Sequence, residues 1–523
     1  MKKKIKNLAL ITFGGDGMPV ANRFKESIGE EGKVIVGMIK NAKDIYLPSE
    51  IKKMEEEGED PEKIEKEEDK KVRFKLYEGI LDVYAADSVV EFLKGVENKE
   101  EWFVFFDMNT CFKYGEIIQE FMPYGNFPTA EQRELEVDRE KAKKFIEDNY
   151  PDVKKEQHWE FKTAEEGIKF VEQSDEILVL KGNNGEAPTV VPPVDDLETA
   201  KELLIEALET NKDKYNAGGL IFEVKLEDAI ELTPERIYFE GEELFTDLDI
   251  ETKKKYAGDV GGQLVGCGTD CIIMTNMDDK INQVAFPEIV DEMAKKAKSM
   301  FIWDLSVLIS KRTGKVYPGE FCPNRCGWNA FLTEMEGIDP VQYFTDVVNF
   351  RNPLEGKKFS SSTRIFNDED EKGDIKIIYP EEAKDHVWIF DGKMKDGELV
   401  TVGYDNAEDL GVITGHGDTF AESVKNLYDM CARFALATKR WGYRSKGDYL
   451  DTSYGTSIVN RYNYAVDKGL ITGYEAYTPE GDDSRVKALK AEHEKRISDM
   501  TKEHEGDLKS LKAEIQSILN ENA

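Results

Sequence analysis

The sequence predicts a multidomain protein that is α/β at its N-terminus and α+β further along the chain. Three observations support this fold class. The chain has 523 residues, which is too long for one hydrophobic core, so three or four domains are expected. Over residues 1–130, short apolar runs alternate with amphipathic segments, which predicts an open parallel sheet. Residues 482–523 are rich in Ala, Glu, Lys and Leu, which predicts a helical tail.

The N-terminal region begins with a buried strand at Asn7–Thr12. A glycine-rich turn at 13–17 and a helix at 19–28 follow, and further strands are predicted at 34–38 and Trp102–Phe106. In an open sheet of this kind, ligands bind at the carboxyl ends of the strands. The glycine turn lies at such an end and fits either a tight turn or a ligand contact.

The middle region, residues 131–350, alternates helices with strands. Helices are predicted at 134–149, 164–172, 197–209 and 289–297, and strands at 158–161, 176–181 and 219–224. Segments 236–239 and 243–247 are typical of a hairpin, and 253–268 is predicted to be a long glycine-rich loop. A second hairpin is predicted from strands at 301–309 and 316–321, joined by a turn at 311–315.

The second hairpin carries the chemistry that the sequence indicates most clearly. Its second strand brings Glu320, Asn324 and Arg325 to one place. Carboxylate and amide oxygens suit Mg²⁺, which is usually shared with nucleotide phosphates. An adjacent arginine neutralises charge on a transferring phosphoryl group. The hairpin therefore predicts an ATP-using enzyme.

The C-terminal region has shorter elements. Strands are predicted at 375–378, 386–390, 400–404 and 410–414, followed by a helix at 420–438, which together indicate a small α+β domain at 351–445. An extension at 446–481 precedes the tail. Apolar residues in the tail recur at three- and four-residue steps, which favours a coiled coil that forms a homo-oligomer. A single amphipathic helix packed on the body and a partly disordered segment are the alternatives.

Charge and composition exclude several classes of function. The net charge of −35 argues against broad nucleic-acid binding, because phosphate backbones would be repelled. Apolar runs are too short to span a membrane, and a glycine turn interrupts the first one, so no signal peptide and a cytoplasmic location are expected. The acidic run 50–71 is predicted to be solvated surface, as an exposed helix or a mobile loop.

Six cysteines are few for this length and indicate a reducing compartment. Four of them form two pairs with three intervening residues, Cys267 with Cys271 and Cys322 with Cys326. Zinc sites more often have two intervening residues. The pairs leave open zinc binding, a redox pair and ordinary reduced thiols.

The order of these parts resembles the ATP-grasp ligases and, within them, the phosphoribosylamine–glycine ligases. The likeness covers about residues 5–440. Segment 136–145 is similar to the helix that the family places before its ATP-grasp region. Segments 179–181, 222–225, 254–262 and 320–327 are similar to parts of that region, and the ATP-grasp domain is expected at residues 131–350. Segment 411–422 is similar to the C-terminal pattern of the glycine ligases, and favours that family over the wider superfamily.

The resemblance implies a role for each matching residue. The implied nucleotide contacts are Lys181 and Asn183 for phosphates, Glu223 and Val224 for adenine, and Glu231 for ribose. The implied Mg²⁺ ligands are Glu320 and Asn324, helped by Asp304, while Arg325 would hold the γ-phosphate and the acyl phosphate. Lys255 and Asp259 fall in the implied substrate loop and are, with Arg325, the implied catalytic residues. A solvated strand residue remains the alternative for Glu231, and surface salt bridges for Glu320, Asn324 and Arg325.

Three segments depart from the family pattern. Residues 15–19 lack its Arg-Glu-His trio, 183–188 lack a second lysine, and 261–268 lack its Pro-Asn-Thr run. The resemblance therefore implies ATP and Mg²⁺, and glycine or another amino acid joined to an amine such as phosphoribosylamine, with the amine the least defined. The alternative is a ligase-derived structural or assembly protein that the tail oligomerises.

Overall fold

A computed structural model describes residues 3–479 except 57–59, 62–64, 154–157, 184–186, 193, 195, 227–228, 259, 264–267, 312, 325–328, 368–372, 404–409, 439–440 and 454–456. The predicted helical tail at 482–523 therefore lies outside the described residues. The chain divides into two compact units, Met1–Tyr474 and Glu475–Ala523. Among the described residues, no helix has the length and apolar character that crossing a membrane requires.

The N-terminal region is the open parallel sheet that the sequence predicts. Its strands are β1 (Asn7–Thr12), β2 (Lys33–Met38), β3 (Val83–Ala85) and β4 (Trp102–Phe106), in the order β3-β2-β1-β4. Both neighbours of β1 run parallel to it. The accompanying helices are α1 (Met18–Ile28), α2 (Pro48–Glu56), α3 (Glu67–Arg73), α4 (Ala86–Lys94) and α5 (Phe112–Ile118).

A small antiparallel sheet follows, with its own core. It comprises β5 (His158–Phe161), β6 (Leu178–Gly182) and β7 (Leu220–Val224) in the order β5-β7-β6. The helices of this part of the chain are α6 (Ala130–Val137), α7 (Arg139–Asn149), α8 (Ala164–Gln173), α9 (Leu197–Thr210) and α10 (Lys212–Gly218). Helix α8 begins with a capping box, in which Thr163 and Glu166 each accept the other's backbone N–H.

A nine-stranded antiparallel sheet forms the centre of the first unit. It contains β8 (Ala229–Phe239), β9 (Glu242–Thr252), β12 (Thr269–Thr275), β13 (Met300–Ser310), β14 (Val316–Phe321), β15 (Phe359–Asn367), β17 (Val387–Ile389), β20 (Gly411–Gly417) and β22 (Trp441–Tyr443). Its order is β14-β13-β8-β9-β12-β15-β20-β17, and β22 pairs with β15. Strands on both sides of the predicted boundary at residue 350 thus share one sheet.

The remaining elements are short. The strand pairs are β10 (Lys254–Tyr256) with β11 (Val260–Gln263), β16 (Ile377–Ile378) with β21 (Ala435–Leu436), and β18 (Lys393–Lys395) with β19 (Glu398–Val400). The helices are α11 (Lys280–Ala285), α12 (Glu288–Lys296), α13 (Asn329–Glu334), α14 (Pro340–Val347), α15 (Phe420–Cys431), α16 (Gly447–Leu450) and α17 (Ile458–Asp467).

Three predicted elements need correction. The single helix predicted at 134–149 is two helices, because Asp138 ends α6 and its side chain caps α7 through the Lys141 N–H at 3.1 Å. The predicted loop at 253–268 contains the β10–β11 pair. Helix α15 ends at Cys431 rather than at residue 438, since the chain turns there and enters β21.

One buried cluster joins the parallel sheet to the large sheet. It includes Leu10 and Phe105 from the parallel sheet, Phe344 from α14 and Ile237 from β8. The ring of Phe103 stacks on that of Phe344, with 4.4 Å between centroids. The shared core packs the parallel sheet against the first residues of β13, Met300 and Ile302.

Candidate functional site

Close backbone contact shapes the β13–β14 hairpin around Glu320. A bulge separates Leu305 from Val307, and the hydroxyl of Ser306 accepts the Glu320 N–H at 2.9 Å. A Cβ on Gly319 would overlap with the Ser306 hydroxyl and lie 2.8 Å from its carbonyl oxygen. Glycine is therefore required here, and the Ser306 contact fixes the backbone that carries the exposed Glu320 carboxylate.

Asn324 presents a buried acceptor next to this strand. Its side chain is 1% exposed, and its Nδ2 donates to Gln132 Oε1 at 3.3 Å. Its Oδ1 is buried and has no hydrogen-bond partner in the described structure. Its backbone has φ 57, in the left-handed region that asparagine tolerates better than most residues. A buried amide oxygen without a partner is costly unless it binds a ligand.

Asn109, from the end of β4, shares the same neighbourhood. Its Nδ2 donates to the carbonyl oxygen of Pro323 and lies 3.4 Å from Glu136 Oε2. Its Oδ1 is likewise buried without a hydrogen-bond partner in the described structure. Burial raises the pKa of Glu136, and the nearby Glu320 carboxylate adds to this shift. Oxygen donors from β4, α6 and the hairpin therefore converge.

These oxygens fit a hard divalent cation. Glu320 supplies an exposed carboxylate, and Asn324 supplies an orphaned amide oxygen, which are ligand types that Mg²⁺ prefers. Asp304, the third predicted ligand, is fully buried on β13, opposite Glu235 of β8. The assignment of all three as Mg²⁺ ligands stays a prediction. Arg325 lies outside the described residues.

Two lysines meet one carboxylate on the small sheet. Lys143 Nζ lies 2.6 Å from Glu223 Oε1, and Lys181 Nζ forms an ion pair with Glu223 Oε2. The Glu223 carboxylate is nearly buried, whereas about a quarter of each lysine is exposed. The pair of lysines therefore carries one net positive charge at the surface of β6 and β7. The sequence resemblance assigned Glu223 to adenine, while its carboxylate here orients the two cations.

The other predicted nucleotide contacts lie around this ion-pair cluster. Val224 ends β7 and is half-buried. Asn183 follows β6, donates its backbone N–H to Gly219 and approaches Glu140 at 3.4 Å. Glu231 lies on β8, opposite Leu308 of β13. The assignment of these three residues to the nucleotide stays a prediction.

Lys253 connects Glu231 to the hairpin electrostatically. Its Nζ lies 3.0 Å from Glu251 Oε1. The Glu251 carboxylate, and then that of Glu231, hold the pKa of Lys253 above its usual range, and Glu320 adds to the effect. Glu231 and Glu320 thus act on the same ammonium group. Sequence reasoning missed Lys253, Lys143 and Gln132, since none of them matches a motif by itself.

The predicted substrate loop is described only in part. Lys255 lies on β10, with Nζ 5.6 Å from the centre of the Phe366 ring, so it faces β15. Asp259 lies outside the described residues. Of the paired cysteines, Cys267 and Cys326 also lie outside them, while Cys271 is buried and Cys322 is half-buried.

Two further groups of carboxylates lie along the large sheet. Oxygen atoms of Glu235, Asp247 and Glu334 lie within 4.8 Å of one another, and those of Asp249, Glu251 and Asp270 do the same. The register pairs Glu235 with Asp247 and Glu251 with Asp270. Alternate polar residues in β9 are the sequence signal for this acidic face, which the strand predictions did not use.

A cleft of about 620 Å³ lies between the N-terminal region, helices α6 and α7, and the end of strand β14. Asn183 and Glu320 lie on its wall, together with residues from the N-terminal region. The full lining is Tyr46, Leu47, Ser49, Glu50, Lys53, Met54, Arg133, Glu134, Glu136, Val137, Asp138, Arg139, Glu140, Asn183, Gly218 and Glu320. The first helix of the acidic run 50–71, α2, is half-buried to exposed and lines the cleft through Glu50, Lys53 and Met54.

Comparisons with known proteins agree with this architecture. No protein-family model and no curated protein sequence matches the chain. The solved phosphoribosylamine–glycine ligase of Thermotoga maritima matches with a TM-score of 0.51 and 15% identity, over 84% of this chain and 99% of that one.

Two carboxylases have similar folds. The biotin carboxylase domain of 2-oxoglutarate carboxylase from Hydrogenobacter thermophilus, solved with MgADP and bicarbonate, gives a TM-score of 0.52 at 12% identity, over 90% of this chain and 100% of that one. Rhizobium etli pyruvate carboxylase gives 0.55 at 12% identity, over 91% of this chain and 41% of that one. At these identities the likeness defines the fold alone. The chain therefore has the fold of the ATP-grasp ligases, as the sequence resemblance predicts.

Proposed function

We propose that the protein is an ATP- and Mg²⁺-dependent carboxylate–amine ligase. The observation that carries the proposal is that Glu320 and Asn183 line a single cleft, although 136 intervening residues separate them in the sequence. The sequence resemblance had assigned one of them to the metal and the other to the phosphates. A cleft that holds both would bring the metal and the phosphates together.

The proposed reaction has two steps. A substrate carboxylate attacks the γ-phosphorus of ATP, the bond to the β-phosphate oxygen breaks, and ADP leaves with that electron pair. An amine then attacks the acyl carbon of the acyl phosphate, inorganic phosphate leaves, and the nitrogen loses a proton to form the amide. Neither step needs a covalent bond to the protein, so positioning and charge neutralisation supply the catalysis.

Residues in and near the cleft have separate roles in this proposal. Lys143 and Lys181 would bind phosphate oxygens, and Glu223 holds both lysines in place. Glu320 and Asn324 would hold Mg²⁺, which neutralises charge on the transferred phosphoryl group when bound. Ser306 fixes the backbone of Glu320. Arg325 is proposed, from the resemblance alone, to bind the same phosphoryl group.

The identities of the two substrates are proposed from the sequence resemblance alone. Glycine is the proposed acid, and phosphoribosylamine or another small amine is the proposed acceptor. The missing second lysine at 183–188 favours the alternative, a ligase-derived scaffold with little activity. The two candidates differ in whether the protein turns over ATP.

The test is phosphate release by the full-length protein with ATP, Mg²⁺ and a panel of amino acids and amines. We expect release that requires both an acid and an amine, and at least a hundredfold loss in Glu320→Ala with unchanged denaturant stability. Glu242→Ala is the matched control, an exposed carboxylate at the turn of the β8–β9 hairpin. Absence of turnover and of any thermal shift with MgADP would refute the ligase proposal. Unchanged turnover in Glu320→Ala would refute the role of Glu320.

A further inference from the structure

The helix α2 brings a lysine from the acidic run into the cleft. We propose that α2 forms a wall of the substrate site and that Lys53 binds an oxyanion of a substrate, a phosphate or a carboxylate. This inference rests on the proposed function, because it takes the cleft as the place where the substrates meet. Lys53 and Glu320 line the same cleft.

The acidic run is attached to the body at two points. Glu50 Oε1 lies 3.2 Å from Arg133 Nη2, and Glu50 Oε2 accepts the Leu47 N–H at 2.8 Å. Glu65 lies 2.7 Å from Arg73 Nε, and the buried Arg73 guanidinium also donates to the carbonyl oxygens of Phe13 and Ile39. The part-buried Glu50–Arg133 ion pair holds α2 against α6, and Arg73 holds the other end of the run against the parallel sheet. Lys53 lies three residues after Glu50 on α2, so this ion pair also places Lys53 at the cleft.

Among the described residues that line the cleft, one cation has no partner. Its carboxylates are Glu50, Glu134, Glu136, Asp138, Glu140 and Glu320, and its cations are Lys53, Arg133 and Arg139. Arg133 pairs with Glu50 and Glu136, and Arg139 donates to the carbonyl oxygen of Gly182 at 2.9 Å. Within the described part of the chain, Lys53 has neither an ion pair nor a hydrogen bond through its ammonium group.

An acidic cleft repels an anion unless a fixed cation meets it. Lys53 is half-buried on the cleft wall, and its ammonium group gains by binding an oxyanion because the carboxylates around it leave the cleft without a net positive charge. Arg133 and Arg139 already have partners, so Lys53 is the cation among the described lining residues that can bind an added anion. Phosphate and carboxylate groups both suit a compact ammonium charge. The nucleotide and the second substrate are the two possible sources of this group.

The experiment compares three variants of the full-length protein. Lys53→Met removes the charge, Lys53→Arg retains it, and Lys52→Met removes the charge of the exposed neighbour on the same helix, which does not line the cleft. Binding of sodium pyrophosphate and of MgADP is measured by calorimetry, and KM by phosphate release. Acetylation of Lys53 by acetic anhydride is quantified by mass spectrometry with and without each ligand.

We expect Lys53→Met to raise the Kd or KM of one anionic ligand at least tenfold, with less than a threefold change in Lys53→Arg and Lys52→Met. A rise for MgADP assigns the oxyanion to the nucleotide, and a rise confined to the KM of the acid or amine assigns it to the second substrate. The bound ligand should also protect Lys53 from acetylation. Equal behaviour of Lys53→Met and Lys52→Met, with no protection, would overturn the inference.

The two proposals fail separately in this design. A wild-type protein that turns over ATP while Lys53→Met keeps every KM refutes only the role of Lys53. A wild-type protein that binds pyrophosphate with protection of Lys53, but shows neither ATP turnover nor a thermal shift with MgADP, supports the anion site and refutes the ligase.

Discussion

The substitution Gly319→Ala tests whether backbone contact at the β13–β14 hairpin controls the site. A Cβ at this position overlaps with the Ser306 hydroxyl and lies 2.8 Å from the Ser306 carbonyl oxygen. Backbone atoms cannot rotate away as a side-chain tip can. The strand β14 must therefore shift, and Glu320 shifts with it.

The magnitude follows from two contributions. Overpacking of this kind costs about 1–3 kcal/mol of the free energy of unfolding. Loss of the hydrogen bond from the Glu320 N–H to the Ser306 hydroxyl, 2.9 Å long, adds about 1 kcal/mol. We expect a total loss of roughly 2–4 kcal/mol. A displacement of Glu320 by about 1 Å lowers kcat on the order of a hundredfold.

Gly314→Ala is the matched control in the same hairpin. Gly314 has φ 66, and a Cβ there meets no atom within 4 Å. Alanine in this left-handed conformation costs about 1–2 kcal/mol but leaves Glu320 in place. Urea denaturation measures the loss of stability, and phosphate release measures kcat. Similar losses of stability in the two variants, together with an unchanged kcat in Gly319→Ala, would refute control of the site by the Ser306 contact.

The remaining predictions concern two ion-pair clusters. Glu223→Gln leaves Lys143 and Lys181 without their shared carboxylate. Because both lysines are partly hydrated, we expect the free energy of unfolding, measured by urea denaturation, to fall by about 1–3 kcal/mol. The control Glu160→Gln, on the exposed face of neighbouring β5, should change it little. Equal stability of the two variants would contradict a stabilising role for the Glu223 ion pairs. Burial alone would raise the pKa of Glu336, but hydrogen bonds from His386 and His416 hold it well below its usual range, while the bond to Glu336 raises the pKa of His386. The histidine contribution is therefore fully present below about pH 6.5 and is lost as pH rises through the raised pKa, and the carboxylate contribution is lost as pH falls through the lowered one. Denaturation at a series of pH values should show a decline above pH 6.5 in the wild type that is weaker in His386→Gln, and an unchanged decline in that variant would exclude His386 as its cause.

Elements with a strong local signal could be predicted from the sequence. The apolar run of β1, the Thr163–Glu166 capping box of α8 and the turn between β13 and β14 each define their element within a few residues. Strand β15 could not be predicted in this way, because Ser360 to Thr363 are polar and yet buried. Polar residues are usually exposed, so a polar run predicts a loop, whereas the large sheet buries hydroxyls and carboxylates.

Residues of the candidate site could be predicted from the sequence only where they belong to a recognisable motif. Glu320, Asn324 and Lys181 follow from the resemblance, and the structure adds the contacts that orient them. Lys143 reaches Glu223 over 80 residues, and Glu50 reaches Arg133 over 83. Such contacts depend on how the small sheet and the N-terminal region fold back on α6 and α7. No local pattern in the sequence encodes them.

The single sheet that spans residues 229–443 also constrains how the chain is made. Strand β12 pairs with β9 on one side and with β15 on the other, and β15 begins 84 positions after β12 ends. While the ribosome is still completing that interval, β12 presents an open row of backbone N–H and C=O groups. At roughly 5–20 residues per second, this edge stays uncovered for seconds. The middle of this protein therefore cannot finish folding before its C-terminal strands emerge, and its nascent chain is the form most exposed to aggregation.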